Sequence, residues 1–211
     1  MRRVASLKRK RPSRAPSKKI FVFGEGKLTE ADYFRAMQRK IDIREFQLIY
    51  EGGKGDPSKV VQAAQEFARR SRTSSGRRPV DSLEVGDEIW VMFDRDDHDL
   101  FEQTKRSCES QKLFYIYCNP CFELWLVLHF QDCEGPTNSF QAQEMTKNLV
   151  KGYDPKTRKT GDFDAMMPRL PAAENRAKRQ RLNRQQEDRK DGNPSTNFYE
   201  FTSKFEKFFR S

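Results

Sequence analysis

Four aspartates, Asp94, Asp96, Asp97 and Asp99, fall within six positions, directly after the apolar run EIWVMF at residues 88–93. Acid clustered at the end of a strand-like segment has two explanations. Aspartate is ordinary turn chemistry after a strand, or a cation sits there. In an Asp-X-Asp pair at one strand end, the side chains of Asp94 and Asp96 point the same way. A further acid, Glu25, lies in the glycine turn GEG that follows the β-prone run KKIFVF. Three carboxylates in one place repel one another, and a cation relieves that repulsion. Mg2+ is the natural partner, being hard and held by one or two carboxylates plus water and substrate phosphate, with Mn2+ as a substitute. A metal so held can activate water and neutralise charge on a phosphodiester. Asp97 and His98 lie beside the pair and can support it, although a lone exposed histidine is commonly a bystander.

The elements around these acids must bring them together. KKIFVF, the glycine turn and TEADYFRAMQRKI read as strand, turn and helix, with Thr29 as the helix cap and Tyr33, Phe34, Met37 and Ile41 at helical spacing. FQLIY, the loop EGGKG and a helix capped by Asp56 with Pro57 at its first position repeat the plan, and Val60, Val61, Ala64, Phe67 and Ala68 form the buried face. EIWVMF is the third strand and LFYIYC (113–118) the fourth, with a helix between them. NPCFELWLVLHFQ then reads as a helix with Asn119 as cap and Pro120 at its first position. Alternating strands and helices predict an α/β fold, a mainly parallel sheet flanked by helices on both faces. In such sheets the site lies beyond the carboxyl ends of the strands, which collects Glu25, Asp94, Asp96 and Asn119 on one edge.

The chain has 211 residues, enough for one sizeable α/β domain, with 35% hydrophobic and 34% charged residues. No run of about 18 apolar residues marks a membrane span. The basic N-terminus lacks the apolar stretch of a secretory signal, so a cytoplasmic protein is expected. Net charge is +10; of 41 Lys and Arg, nine lie in residues 1–19, leaving 32 against 31 Asp and Glu. Residues 1–19 read as a disordered basic tail. Its Lys8, Arg9, Lys10 and Arg11 either land on nucleic-acid phosphates or merely solvate a terminus. Residues 20–135 read as the α/β core, and 136–211 as a mostly helical part packing on it. Within that part, the segment 171–190 has little large apolar surface beyond Leu182 and reads as largely exposed. The terminal phenylalanines Phe198, Phe201, Phe205, Phe208 and Phe209 read as core.

Further residue types could also carry chemistry. Cys118, Cys121, His129 and Cys133 match a zinc set in residue type, but reduced, partly buried cysteines are the simpler reading. His129 reads as structural. Glu123, the sole acid in CFELWLVLHF, either faces the site or makes a structural ion pair with an arginine, since an unpaired carboxylate on an apolar helix is costly. Lys27 and Lys54, in glycine-containing loops after strands, can touch phosphate; GGKGDP lacks the Gly-Lys-Ser/Thr ending of a Walker A loop.

A Glu in a glycine turn between strand and helix, then a strand ending in Asp-X-Asp, resembles the Toprim fold of topoisomerases, primases, OLD-type nucleases and ribosomal-RNA maturases. FVFGEGKLTEADYF, VMFDRDDHDLF, NPCFELWLVLHF and NPSTNFYEF together resemble the RloB-like proteins, a bacterial Toprim-like family found beside restriction and other phage-defence genes. The resemblance runs from about Ile20 to the C-terminal helix, and NPCFELWLVLHF is its most specific part. It implies that Glu25, Asp94 and Asp96 bind Mg2+ and act in catalysis, and that the protein is a nuclease for RNA, transfer RNA included, or DNA in antiphage defence. A non-catalytic module of a defence complex, holding metal, nucleotide or nucleic acid beside a partner protein, is the alternative. A third reading puts the function in the basic tail. A topoisomerase, which needs a tyrosine nucleophile and large gates, is not expected of a chain this short.

Overall fold

The computed structural model describes residues 18–73, 83, 86–95, 100–189 and 191–208. Lys8, Arg9, Lys10 and Arg11 of the tail, and Asp96, Asp97 and His98 of the acidic cluster, lie outside the described residues.

Among the described residues, five strands form one sheet: β1 (Lys18–Phe23), β2 (Phe46–Glu51), β3 (Glu88–Asp94), β4 (Phe114–Asn119) and β5 (Ser195–Thr196), in the order β2-β1-β3-β4-β5. The first four are parallel, and β5 adds antiparallel to β4 with Cys118 opposite Thr196. The α/β expectation is met, and the strands alternate with α1 (Thr29–Lys40), α2 (Pro57–Thr73) and α3 (Phe101–Ser110). Alternate side chains of each strand serve opposite faces. Ile20, Val22, Trp90, Met92 and Ile116 pack with Tyr33, Phe34 and Met37 of α1 on one face. Phe21, Phe23, Val91 and Phe93 pack with Val60, Val61 and Ala64 of α2 and Phe101 of α3 on the other. Burial on both faces explains why these strands are apolar throughout.

The face carrying α1 also receives α4 (Glu123–Leu128), α5 (Ser139–Leu149), α6 (Leu170–Gln186) and α7 (Phe198–Thr202). Phe198 stacks on Trp125 with centroids 4.6 Å apart, and Phe201 meets Trp90 edge-on at 5.1 Å. Phe198, Phe201 and Phe205 are fully buried. Phe209 and the Phe208 side chain lie outside the described residues.

Two local expectations need correction, and a third is incomplete. Asn119 is not a helix cap: it pairs with Ser195 and is extended, the Asn119–Pro120 peptide is cis, and α4 starts only at Glu123. Thr29 is the first residue of α1 rather than its cap, and its hydroxyl donates to the Lys159 carbonyl (2.9 Å). Segment 171–190 is exposed along much of its length, as expected, but it also has a buried face. Leu182 does face solvent, but α6 buries Ala173, Ala177, Gln180 and Arg184. Small residues permit close approach, and the polar ones reach backbone: Gln180 donates to the Cys133 carbonyl and Arg184 to that of Glu134 (2.9 Å), while among the described residues Gln180 Oε1 and Arg184 Nε are buried without a hydrogen-bond partner. Asp56 does cap α2, accepting from the Lys59 N–H (3.1 Å).

β2 lies at one edge of the sheet, where unpaired backbone invites another strand. Gln38 of α1 occupies that edge with its side-chain amide: its oxygen accepts from the Leu48 N–H and its nitrogen donates to the Phe46 carbonyl (3.5 Å). Gln38→Ala is expected to cost about 1 kcal/mol in urea unfolding. A variant as stable as the parent would show that the bonds add nothing.

Candidate metal centre

The order β2-β1-β3 means that the chain leaves β1 on one side and returns to it on the other. β1 and β3 therefore flank the switch point, where a crevice opens beyond the carboxyl ends of the strands. Glu25 stands two residues after β1, and Asp94 ends β3. The Asp94 N–H donates to Glu25 Oε1 (3.1 Å), so the two half-buried acids meet at the crevice.

The turn that carries Glu25 is clamped by its neighbours. The Gly53 N–H donates to the carbonyls of Glu25 and Gly26 (both 3.1 Å), and the Tyr50 hydroxyl donates to the Gly26 carbonyl (2.9 Å). A Cβ on Gly24 would strike the Tyr50 ring, one on Gly52 the Gly26 carbonyl, and one on Gly26 the Glu30 carboxylate. The glycines of GEG and EGG are thus where two loops touch. Burial drives the Tyr50 phenol upward, and the Glu30, Asp94 and Glu25 carboxylates push the same way, so Tyr50 stays a neutral donor.

Two more acids stand behind the first pair. Burial pushes the Glu30 carboxyl up to about 7, opposed by backbone hydrogen bonds from its own N–H and that of Gly26, and assisted by the Glu123 charge. Glu123 accepts from the buried Tyr153 hydroxyl (2.6 Å), so its partner is a tyrosine. The Cys121 thiol is driven well up by burial, with Glu123 and Asp94 acting in the same direction. Sequence reading missed Glu30, yet the signal was present: Glu30, Tyr33, Phe34 and Met37 share the i, i+3, i+4, i+7 spacing of the buried stripe. Tyr153 carried no such signal.

The remaining expected residues have contacts of their own. Asn119 is buried at the end of β4 and donates to the Asp191 carbonyl (2.9 Å). Lys27 is exposed with its stem against Gly53, and Lys54 stands 3.8 Å from Glu51. Arg95 stacks on Phe101 (4.7 Å) and donates to the Asp191 carbonyl. The arginines of 176–190 are engaged internally: Arg176 and Arg179 with Asp132, Arg181 with Glu200, Arg184 and Arg189 with Glu187. All four cysteines are buried free thiols. His129 is buried among Tyr33 and Trp125. Among the described residues, no group of three or more His, Cys, Asp or Glu is arranged to hold a metal. Glu25 and Asp94 supply two hard oxygen donors, a set that suits Mg2+ completed by water and phosphate. Among the described residues, no helix is long and apolar enough to cross a membrane.

A family model described as RloB-like protein matches residues 20–205, most of the chain, which therefore belongs to the RloB-like family. No curated protein and no solved structure matches it.

Proposed function

We propose that this member of the RloB-like family is a Mg2+-dependent nuclease that cleaves phosphodiester bonds in RNA or DNA as an antiphage effector. The observation that carries the reading is the meeting of Glu25 and Asp94 at the β1/β3 switch point, where α/β sheets place their ligands. By the family resemblance Asp96 completes the ligand set, with Asp97 and His98 in support. Bound there, Mg2+ or Mn2+ would supply charge neutralisation at the phosphodiester and an activated water.

The chain's own part is to hold its groups still. The Asp94 N–H orients the Glu25 carboxylate, while Tyr50 and Gly53 fix the turn beneath it. Glu25 is then placed to take a proton from the attacking water. Lys27, on the same loop and exposed, offers a cation to a neighbouring phosphate, with Lys54 beyond it. Lys8, Arg9, Lys10 and Arg11 of the tail would add attraction without sequence preference.

The test is incubation of the purified protein with pooled transfer RNA, single-stranded RNA and duplex DNA, in Mg2+, Mn2+ or EDTA. Cleavage that requires metal is expected, and the substrate that is cut names the class. Metal binding without cleavage in any condition would overturn the nuclease reading in favour of a binding module within a defence complex.

A further inference from the structure

Residues 150–163 connect α5 to the 3-10 turn at Asp164–Arg169 and form a pinned loop beside the carboxylate edge. Asp154 and Arg158 exchange both backbone hydrogen bonds at 2.9 Å, which closes the tip. The Asp154 carboxylate accepts from the N–H groups of Lys156 (2.8 Å) and Thr157 (3.3 Å) and pairs with Lys147 (3.3 Å). At the base, the Asp162 N–H donates to the Lys151 carbonyl (2.9 Å), and a Cβ on Gly161 would strike Val150.

Two contacts tie this loop to the candidate site. Tyr153 reaches Glu123, and the Lys159 carbonyl takes the hydroxyl of Thr29, four residues after Glu25. Lys159 also acts electrostatically on Glu30, whose carboxylate abuts Gly26 of the Glu25 turn.

The loop carries four exposed cations, Lys151, Lys156, Arg158 and Lys159. Among the described residues, none of the four forms a salt bridge. The arginines of α6 differ, being held by Asp132, Glu187 and Glu200. The one acid at the loop tip, Asp154, is turned to Lys147 and to backbone N–H groups. Among the described residues the loop thus offers positive charge that no salt bridge neutralises, on a backbone already fixed before any ligand arrives. Prearranged cations next to an acidic centre suit a polyanion whose charges continue past the reacting group, which is the character of a nucleic-acid strand.

We infer that the 151–159 loop is the phosphate-backbone clamp of the site: Lys151, Lys156, Arg158 and Lys159 hold the strand that enters the Glu25–Asp94 crevice. This rests on the nuclease reading for what enters the crevice, but binding can be measured apart from cleavage. The full chain would be titrated, in EDTA, with a fluorescein-labelled RNA hairpin and a labelled duplex DNA at several salt concentrations. The combined variant Lys151→Gln, Lys156→Gln, Arg158→Gln and Lys159→Gln is compared with the parent and with a double variant on the other face of the sheet, Arg106→Gln with Lys112→Gln. All three are checked for unchanged thermal unfolding, as exposed side chains should allow.

The loop variant should bind at least about 10-fold more weakly. The slope of log K against log salt should become shallower by about 3, at roughly 0.7 to 0.9 for each phosphate no longer neutralised. The double variant should change affinity less than about 2-fold. Equal affinity and an equal slope for the loop variant would overturn the clamp whether or not the protein cleaves anything. A reduced slope in a protein that never cleaves would keep the clamp and count against the nuclease.

Discussion

Glu25→Gln and Asp94→Asn are each expected to lower metal-dependent cleavage by at least about 10³-fold, equivalent to about 4 kcal/mol of transition-state stabilisation. Both changes are isosteric, and neither breaks the bond that joins the two residues. The Asp94 N–H is backbone, and a glutamine oxygen at position 25 still accepts from it. What disappears is one negative charge in a place where negative charges crowd. Glu25, Asp94 and Glu30 all act on Tyr50, and like charges so close destabilise the metal-free protein. Each variant should therefore unfold in EDTA at the parent's temperature or slightly above it. The stabilisation that the parent gains from added Mg2+ should shrink or vanish. The pair of readouts separates two causes of inactivity, since a misfolded variant loses thermal stability and a ligand variant does not. Parent-like cleavage by either folded variant would remove Glu25 and Asp94 from the chemistry.

The sequence made the site's frame legible because strands buried on both faces leave a strong signal. KKIFVF, FQLIY and EIWVMF form the strands that their composition predicts, and the glycine turn after β1 does face the end of β3. What escaped was held by contacts distant in sequence. β5 has two residues, too few for any periodicity, yet it fixes Asn119 as strand rather than cap. The buried face of α6 is built from alanines and polar side chains that bond to the carbonyls of residues 128–134, so hydrophobic spacing could not reveal it. Glu123 reads from sequence as facing the site or an arginine, and its partner is Tyr153, 30 residues away. Glu30 is the instructive miss: an acid inside an apolar stripe looks like an exposed helix residue until the stripe is read position by position.

Glu30 and His129 lead to the second large effect, which concerns acid stability. His129 is fully buried: Nδ1–H donates to the Trp125 carbonyl (3.0 Å), and Nε2 accepts from the Tyr33 hydroxyl (3.2 Å), which in turn accepts from the Trp125 indole (2.7 Å). The carbonyl can only accept, which fixes the proton on Nδ1. Burial lowers His129 from 6.5 to about 4; the bond to Trp125 opposes this, and Arg176 and Arg169 assist it. Its contribution is complete above pH 6.5 and is lost as pH falls toward 4, in all about 3 kcal/mol. Glu30 has the opposite sign. Its pKa is raised from 4.5 to about 7, chiefly by burial, with Glu123 adding to the rise and Lys159 opposing it. Its contribution is complete below pH 4.5 and is lost as pH rises toward 7, again about 3 kcal/mol. Between pH 4.5 and 6.5 the two slopes cancel. The unfolding free energy of the parent, measured by urea titration in EDTA, should thus be nearly level across that window as far as these two groups set it. Glu30→Gln should expose the histidine alone and lose about 2 to 3 kcal/mol from pH 6.5 to 4.5. His129→Phe should expose the glutamate and gain a similar amount over the same interval. If the Glu30→Gln profile is as level as the parent's, burial shifts neither His129 nor Glu30 in the folded protein, and the two opposed slopes do not exist.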